Sequence, residues 1–372
     1  MATSAKRRTS ISPSDSAIAS AATTSTSSTS STNPDETASM SPYFPPELIP
    51  LIASRLTCLE DFFILRAACR TYRALLPPSP SNLASQGPLL LVPHEASASE
   101  ALYHAPLRRL PRTRPALLHP TRTIFHSFGC RVAIEDGRTS IRELRIHHLL
   151  TGERARLPRL HPDGFEAVIW YGDLVLTFTR WRNTLYYCRI GDAYWRPARC
   201  RGGYQLYNLV FLKGTLYALI CPDYRIAVLE LNHDSVELSF LGDASSAQSF
   251  RNSFLFSLAV CRDELLLIAL VQYTPLPVYH VFRWQSREKK WARTTSLGGW
   301  SLFFNNGHQF AGCLGPDHPA VRRDCLYFTW LDGQWREYCL ADGSCHGHVV
   351  DYPGLAATED KEALTWVLPS II

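Results

Sequence analysis

The sequence predicts a mainly β fold, an approximately six-bladed β-propeller that follows a small helical module and a disordered N-terminal tail. Nine Trp, sixteen Tyr and seventeen Phe favour strands, while 25 Pro and 20 Gly supply the turns between many short elements. A pattern of a turn followed by an apolar strand recurs roughly every 45 residues, which is the spacing of four-stranded propeller blades. The predicted domains are 1–42 for the tail, 43–80 for the helical module and 87–372 for the propeller.

The first 42 residues are expected to form a disordered tail. They contain thirteen Ser and eight Thr with almost no large apolar side chain, so burial cannot offset the entropy of folding. A Ser/Thr-rich start with Lys6, Arg7 and Arg8 also has the composition of a plastid or mitochondrial transit peptide, or of a minimal nuclear signal. A plain linker, a transit peptide and a nuclear signal therefore all remain open.

The next segment, 43–80, has the periodicity of two or three short amphipathic helices. It opens with two prolines and a glutamate, which favour a helix start because the first amides of a helix lack partners. Helices this short cannot bury their own apolar faces, so part of this surface must contact another domain or another protein. The apolar residues recur every three or four positions at Leu48, Ile52 and Leu56, and then at Phe62, Leu65, Cys69 and Tyr72.

The remainder of the chain repeats a turn followed by a strongly apolar strand. The copies start at Gly129, Asp173, Gly214, Asp263 and Asp324, in steps of 44, 41, 49 and 61 residues. We attribute the long last step to a loop at 305–319. A weaker copy at 89–92 brings the count to about six.

Each copy precedes an alternating strand, among them 185–190, 226–231 and 278–284, so that each pair is predicted to form a hairpin with one buried face. The strand at 365–368 is placed to pair with the first strand and close the ring. A β-sandwich is the competing architecture, but the period is too long for single strands.

Catalytic and ligand-binding motifs are absent from the sequence, so we expect a non-catalytic protein with no cofactor and no metal. Cys345, His346 and His348 place three possible metal ligands within four residues but lack a second cluster. The eleven cysteines are scattered singly, which indicates free thiols in the nucleus or cytoplasm. No apolar stretch is long enough to predict a membrane span.

The helical segment resembles an F-box, the family that docks on a Skp-type adaptor within a cullin ubiquitin ligase. Phe44-Pro45 and Glu47-Leu48-Ile49 resemble its Leu-Pro-x-Glu-Leu start, and 65–73 resembles its Leu-x-x-Val-Cys-x-x-Trp-Arg end, with Ala68 and Tyr72 in place of Val and Trp. A helical cap on the β domain is the alternative. The resemblance implies ten adaptor-binding residues, namely Phe44, Pro45, Leu48, Ile49, Ile52, Leu56, Leu59, Leu65, Cys69 and Tyr72.

The later part resembles the C-terminal domain of a large family of plant F-box proteins, formerly listed as a domain of unknown function and regarded as a six-bladed, kelch-like propeller. The resemblance is carried by 149–158, 207–218, 281–303, 325–328 and 366–370. Propellers bind through loops on one face, and Trp, Tyr and Arg dominate binding hot spots. The candidate target-binding residues are Arg180, Trp181, Arg182, Tyr204, Tyr207 and Trp300; packing between blades is the alternative role for these aromatics.

Together these observations predict a substrate receptor of an SCF-type ubiquitin ligase that acts by proximity and contributes no catalytic group. Its partners would be a Skp-type adaptor, through it a cullin, and an unknown protein target, with no membrane. Two alternatives remain: an organelle-targeted propeller, and a propeller that binds RNA or a phospholigand through arginines between Arg108 and Arg131, although we expect no nucleic-acid partner.

Overall fold

The fold is described from a computed structural model. It describes residues 44–94, 99–110, 122–136, 143–159, 164–243, 253–272, 276–305, 309–330, 333–351 and 364–371. The predicted tail, 1–42, lies outside these residues.

Three α-helices occur within the described residues, all in the predicted helical segment: α1 (Leu48–Ala53), α2 (Leu59–Ala67) and α3 (Arg70–Leu75). The break between α2 and α3 falls at Cys69, whose backbone is extended with φ of −155°. Its Sγ accepts a hydrogen bond from the Tyr72 amide at 3.3 Å, which caps α3. The second apolar stripe therefore spans two helices rather than one.

The β part forms four antiparallel meanders of four strands each, in which every strand pairs with the next along the chain. Two meanders also share a short parallel pairing through their last strands, at Arg199 and Ser235. The meanders are β3 (Arg122–Phe128), β4 (Arg131–Asp136), β5 (Glu143–His148) and β6 (Arg154–Arg159); β7 (Ala167–Tyr171), β8 (Leu174–Phe178), β9 (Thr184–Arg189) and β10 (Arg196–Cys200); β11 (Gln205–Leu212), β12 (Thr215–Cys221), β13 (Arg225–Asn232) and β14 (Ser235–Phe240); and β15 (Leu255–Cys261), β16 (Glu264–Gln272), β17 (Val278–Gln285) and β18 (Lys290–Thr294).

Two further sheets complete the described β structure. One contains five strands in the order β20, β19, β21, β22, β23, and the other contains three in the order β2, β1, β24. The strands are β1 (Leu89–His94), β2 (Ser99–His104), β19 (Ser301–Asn305), β20 (Gln309–Leu314), β21 (Cys325–Thr329), β22 (Gln334–Cys339), β23 (Cys345–Val349) and β24 (Thr365–Val367).

The long step before Asp324 is explained by an additional strand. The sequence predicts a loop at 305–319, but Gln309–Leu314 forms β20, with Phe310, Ala311 and Leu314 buried. This strand pairs with β19, and the chain then crosses so that β21 pairs parallel to β19. The loop prediction was therefore wrong for 309–314, because burial against neighbouring sheets outweighs the Gly and polar content of this stretch.

The repeated sequence segment corresponds to the same type of turn in four hairpins. Hairpins β3–β4, β7–β8, β11–β12 and β15–β16 all have two-residue turns whose first residue has positive φ. Such turns match the right-handed twist of paired strands. The residues with positive φ are Gly129 at 60°, Gly172 at 60°, Lys213 at 52° and Arg262 at 58°.

The first strands of the four meanders, together with β20 at the edge of the five-stranded sheet, form a ring that we call the ring of first strands. β3 contacts β7, β7 contacts β11, β11 contacts β15, β15 contacts β20, and β20 contacts β3. Strand β24 pairs antiparallel with β1, as the sequence predicts, and also contacts β3. Gly129 connects β20 with the residue that follows β24. Its N–H donates to Ala311 O at 3.2 Å, and its carbonyl accepts from Leu368 N at 2.9 Å.

The helices share a core with the β strands. Ile49, Phe62 and Leu76 are fully buried in one cluster with Leu89 of β1 and Val132 of β4. Three hydrogen bonds reinforce this packing. Gln86 Nε2 donates to Leu56 O at 2.6 Å, His104 Nε2 lies 2.9 Å from Thr57 O, and His318 Nε2 lies 2.9 Å from Gln86 O. The helices and strands therefore form one packed body.

Candidate functional site

Four large apolar side chains of the helical segment are exposed among the residues that the structure describes. Phe44 is 40% exposed, Leu48 44%, Leu51 60% and Ile64 58%. Ile49 of α1 is instead buried in the core shared with the strands. We call Phe44, Leu48, Leu51 and Ile64 the exposed helical patch. Four exposed apolar side chains within one short segment favour contact with a protein partner.

The ten predicted adaptor-binding residues divide between the exposed surface and the core. Ile49, Leu59 and Tyr72 are buried, which places them against the rest of the chain rather than against a partner. Tyr72 accepts a hydrogen bond at Oη from the Phe44 amide at 3.2 Å, so it holds the start of the segment. The exposed members are Phe44, Pro45, Leu48 and Cys69, and the half-buried members are Ile52, Leu56 and Leu65.

Two residues of the exposed helical patch, Leu51 and Ile64, were missed by sequence reasoning. Both lie off the apolar stripe that the periodicity identified. In an amphipathic helix such positions are expected to be polar, so an apolar residue there is itself a signal of a second contact surface.

The predicted target-binding loop between β8 and β9 presents a tryptophan to solvent. Trp181 is 49% exposed and has φ of +64°, a conformation that is uncommon for a bulky residue. Two backbone hydrogen bonds hold the loop against β11: Trp181 N donates to Leu206 O at 2.9 Å, and Leu206 N donates to Arg182 O at 2.8 Å. A side chain held in this way is preorganised for contact with a partner.

Three of the predicted target-binding residues come together around this loop. The Trp181 ring lies 5.0 Å from the Tyr207 ring in an edge-on arrangement, and the guanidinium carbon of Arg180 lies 5.8 Å from the Tyr207 centroid. Tyr207 itself is buried and packs on Phe256, as the alternative packing role predicts. Arg182 is exposed beside them.

The other two predicted residues, Tyr204 and Trp300, do not join this group. Tyr204 is half-buried with its ring 5.0 Å from the Phe240 ring. The half-buried Trp300 ring packs over Gly315. Both residues pack against other side chains of their own domain, so the candidate target surface centres on 180–182.

A cavity of about 170 Å³ lies within the ring of first strands, beside Arg180. Its walls are mainly apolar and aromatic, and the exposed rings of Phe128 and Tyr171 are among its lining residues. No motif in the sequence signals this cavity, because its walls come from strands far apart in the chain. The lining residues are His126 and Phe128 of β3; Ala167, Ile169, Trp170 and Tyr171 of β7; Phe178 and Arg180; Asn208, Leu209, Val210 and Phe211 of β11; and Gln309 and Phe310 of β20.

Two polar atoms in this cavity are buried and make no hydrogen bond of normal geometry among the described residues: His126 Nδ1 and Gln309 Oε1. Burial lowers the pKa of His126 to about 4, while a weak hydrogen bond with the Gln309 side chain acts in the opposite direction. The imidazole is therefore neutral at physiological pH. Gln309 is oriented by Nε2, which donates to Glu166 O at 3.1 Å.

The histidines and cysteines outside this cavity show no arrangement for chemistry among the described residues. His348 stacks on Trp335 with ring centroids 3.9 Å apart, and no group of three potential metal ligands occurs among the residues that the structure describes. Burial raises the pKa of the Cys200 thiol to about 11, so it stays protonated at neutral pH. No described helix is long and apolar enough to cross a membrane.

The arginines of the predicted basic stretch that have described side chains point to different partners. Arg131 lies 3.8 Å from Glu153, and Arg109 Nη2 donates to Cys58 Sγ at 3.7 Å. Arg108 Nη2 lies 3.4 Å from His348 Nδ1. Arg112 and Arg114 lie outside the described residues.

Several solved structures are distantly similar to this chain. A functionally unknown protein from Desulfotomaculum acetoxidans is 11% identical, with a TM-score of 0.40 over 76% of this chain and 100% of its own. A chain of the nidogen/laminin complex is 13% identical, with a TM-score of 0.39 over 76% and 99%, and U3-55K is 9% identical, with a TM-score of 0.34 over 74% and 76%. These values are too low to support any inference about this chain.

The family comparison is specific. No curated protein matches the sequence, but residues 98–352 match the family described as the KIB1-4 beta-propeller. The match covers more than half of the chain and coincides with the strands from β2 to β23. The chain therefore belongs to the KIB1-4 beta-propeller family.

Proposed function

We propose that this protein is the substrate receptor of an SCF-type ubiquitin ligase, in which the helices bind a Skp-type adaptor and the propeller holds the target. The observation that carries the proposal is the exposed helical patch of Phe44, Leu48, Leu51 and Ile64, which stands on the segment that resembles an F-box. A helical cap that served only its own β domain would have no use for four exposed apolar side chains.

The shared core of helices and strands supports the same proposal. A receptor of this kind works by keeping the target close to the ubiquitin-charged partner, which requires a defined distance between its two binding surfaces. Ile49 and Phe62 anchor the helices on β1 and β4, so a target bound at 180–182 keeps a fixed position relative to the adaptor. No catalytic group of the chain takes part.

The finer details belong to the proposal as well. We count the four meanders, the five-stranded sheet and the three-stranded sheet as six kelch-like blades of a plant-type F-box protein. The ligase would act in the nucleus or cytoplasm, with a cullin reached through the adaptor. Trp181 and its flanking arginines, Arg180 and Arg182, are the proposed contacts with the target.

Capture of the adaptor tests the proposal. The full chain is co-expressed with a Skp-type adaptor, and the Leu48→Asp/Leu51→Asp variant is compared with the wild type. Both side chains are exposed, so the variant should fold, whereas the loss of two apolar anchors should reduce adaptor capture at least tenfold. The matched control is Leu276→Asp, since Leu276 is also exposed, at 59%, and lies in the propeller.

Two results would contradict the proposal: no adaptor binding by the folded wild-type chain, or equal capture by the Leu48→Asp/Leu51→Asp variant. Imaging of a fusion at the C-terminus separates the organelle-targeted alternative, because import into plastids or mitochondria would remove the chain from the cytosolic and nuclear ligase. Salt-sensitive retention on RNA would favour the nucleic-acid alternative instead.

A further inference from the structure

The cavity inside the ring of first strands has the features of a binding site for one aromatic ring. Its volume of about 170 Å³ is close to the ~150 Å³ of an apolar protein cavity that holds benzene. Its walls come from β3, β7, β11 and β20, which are held by the paired sheets around them. The cavity is therefore preformed, and binding would require little ordering of the protein.

The walls are rich in aromatic side chains. Trp170, Phe178 and Phe310 line the cavity with their rings, while Ala167 leaves space because its side chain is small. Offset or edge-on contacts between aromatic rings add to the gain from apolar burial. Wholly apolar walls would give little discrimination among ligands, so selectivity must come from the polar atoms.

Those polar atoms accept hydrogen bonds. Gln309 Oε1 is a carbonyl oxygen, and its amide is held in place by the bond from Nε2 to Glu166 O. His126 is 5% exposed, and its buried Nδ1 makes no hydrogen bond of normal geometry among the described residues. In the tautomer that carries its proton on Nε2, this nitrogen is an acceptor. A buried acceptor without a donor is unfavourable, and a ligand that supplies the donor removes that cost.

We propose that this cavity binds a neutral aromatic ring that carries an N–H or O–H donor, of the indole or phenol class, with the donor directed at Gln309 Oε1 and His126 Nδ1. The ring can come from a free small molecule or from a Trp or Tyr side chain of a bound protein, since the recognised chemistry is the same. The exposed rings of Phe128 and Tyr171 provide the approach from solvent. This inference does not depend on the proposed ligase function.

The test uses the full chain and two probes of nearly equal shape. Indole has the N–H donor, and benzofuran has an ether oxygen in its place. Isothermal titration calorimetry should show saturable binding of indole at least tenfold tighter than that of benzofuran, because a site built around acceptors disfavours a ligand without a donor. Binding of N-acetyltryptophanamide but not of free indole would support the proposal with a protein side chain as the source.

Two variants test whether the Gln309 and His126 side chains recognise the donor of the ligand. Gln309→Leu and His126→Phe should each reduce the preference for indole over benzofuran to less than threefold. Gln205→Leu is the matched control, since Gln205 also lies at the start of a strand but is exposed and outside the cavity. It should keep the full preference.

The comparison of the two probes uses the unaltered protein, so it remains decisive even if a cavity variant fails to fold. Absence of saturable binding for indole and for N-acetyltryptophanamide would overturn the proposal. Equal affinity for indole and benzofuran would overturn the role assigned to the acceptors. An unchanged preference in both folded variants would place the site elsewhere and would overturn it as well.

Discussion

At the scale of single residues, the sequence shows the type of each side chain but not its burial. Trp181 is a predicted target-binding residue because of its type, and it lies on an exposed loop. Tyr207 is predicted on the same grounds but is buried, although its ring contacts Trp181. His126 and Gln309 gave no signal, because they are 183 positions apart and become neighbours only when the ring of first strands closes. Residue type therefore indicates a role only once burial is known.

The neutral state of His126 leads to a prediction about pH. The unfolded chain protonates this histidine near pH 6.5, whereas the folded chain does so only near pH 4. Between these values the unfolded state binds more protons, so stability falls as the pH falls. The contribution of His126 should be fully present above pH 6.5, and about 3 kcal/mol should be lost by pH 4.

Urea unfolding at several pH values between 7 and 4 checks this prediction by comparing the wild type with His126→Phe. As the pH falls, the unfolding free energy of the wild type should decrease relative to that of His126→Phe, because the variant lacks the titrating group. A difference that stays constant over this range would show that the histidine remains solvated in the folded protein.

At the scale of elements, the strands were the most predictable part. Apolar and aromatic runs bounded by Gly, Asp or Lys located each hairpin, because the two-residue turn and the alternating strand are both local properties. Strand β20 and the break at Cys69 were not foreseen. The first depends on burial against other sheets, which no local pattern encodes. The second is a local cap from Cys69 Sγ to the Tyr72 amide, but cysteine is not among the usual N-cap residues.

The repeated two-residue turn leads to two predictions of opposite sign. Arg262 adopts φ of 58°, which strains any residue with a Cβ, so Arg262→Gly should raise the unfolding free energy by about 1 kcal/mol. Gly172 has φ of 60° in the equivalent turn, and a Cβ there would meet no atom within 4 Å. Gly172→Ala should therefore lower stability by about 1 kcal/mol through the backbone alone.

Chemical denaturation of both variants measures the two changes. Because the predicted signs are opposite at equivalent positions, a general effect of substitution cannot produce both. A gain from Gly172→Ala, or a loss from Arg262→Gly, would mean that contacts of the side chains outweigh the strain in the turn.

At the scale of the whole molecule, closure depends on a small buried network between distant segments. Asn305 Nδ2 donates to Ser127 Oγ at 2.7 Å, and Asn305 Oδ1 accepts from Trp366 N at 2.8 Å. Ser127 Oγ in turn donates to Trp366 O. These hydrogen bonds connect β24 to β3 and β19. A satisfied network in a buried position is costly to disrupt.

Removal of one member of this network should weaken closure. Asn305→Ala leaves the Trp366 N–H buried without its partner, so unfolding free energy should fall by about 2 to 3 kcal/mol. Asn183→Ala is the control, because Asn183 is exposed, and it should change stability by no more than about 0.5 kcal/mol. Thermal and urea unfolding measure both. Equal effects of the two substitutions would show that the network does not contribute to closure.

The sequence by itself determined the repeating β architecture, the closing strand and the position of the helical segment. These features follow from local periodicity and turn chemistry, which are written in consecutive residues. The resemblance to an F-box likewise rests on consecutive residues, and the function it implies stays a prediction.

Only the tertiary structure decided which apolar helical residues face outward, which aromatics meet around Trp181, and that His126 and Gln309 share a cavity. Each of these depends on the packing of segments that are far apart in the chain. A helix with apolar residues on both faces has no preferred inner face until the strands beneath it are in place. The exposed helical patch and the central cavity are therefore properties of the assembled fold rather than of any one motif.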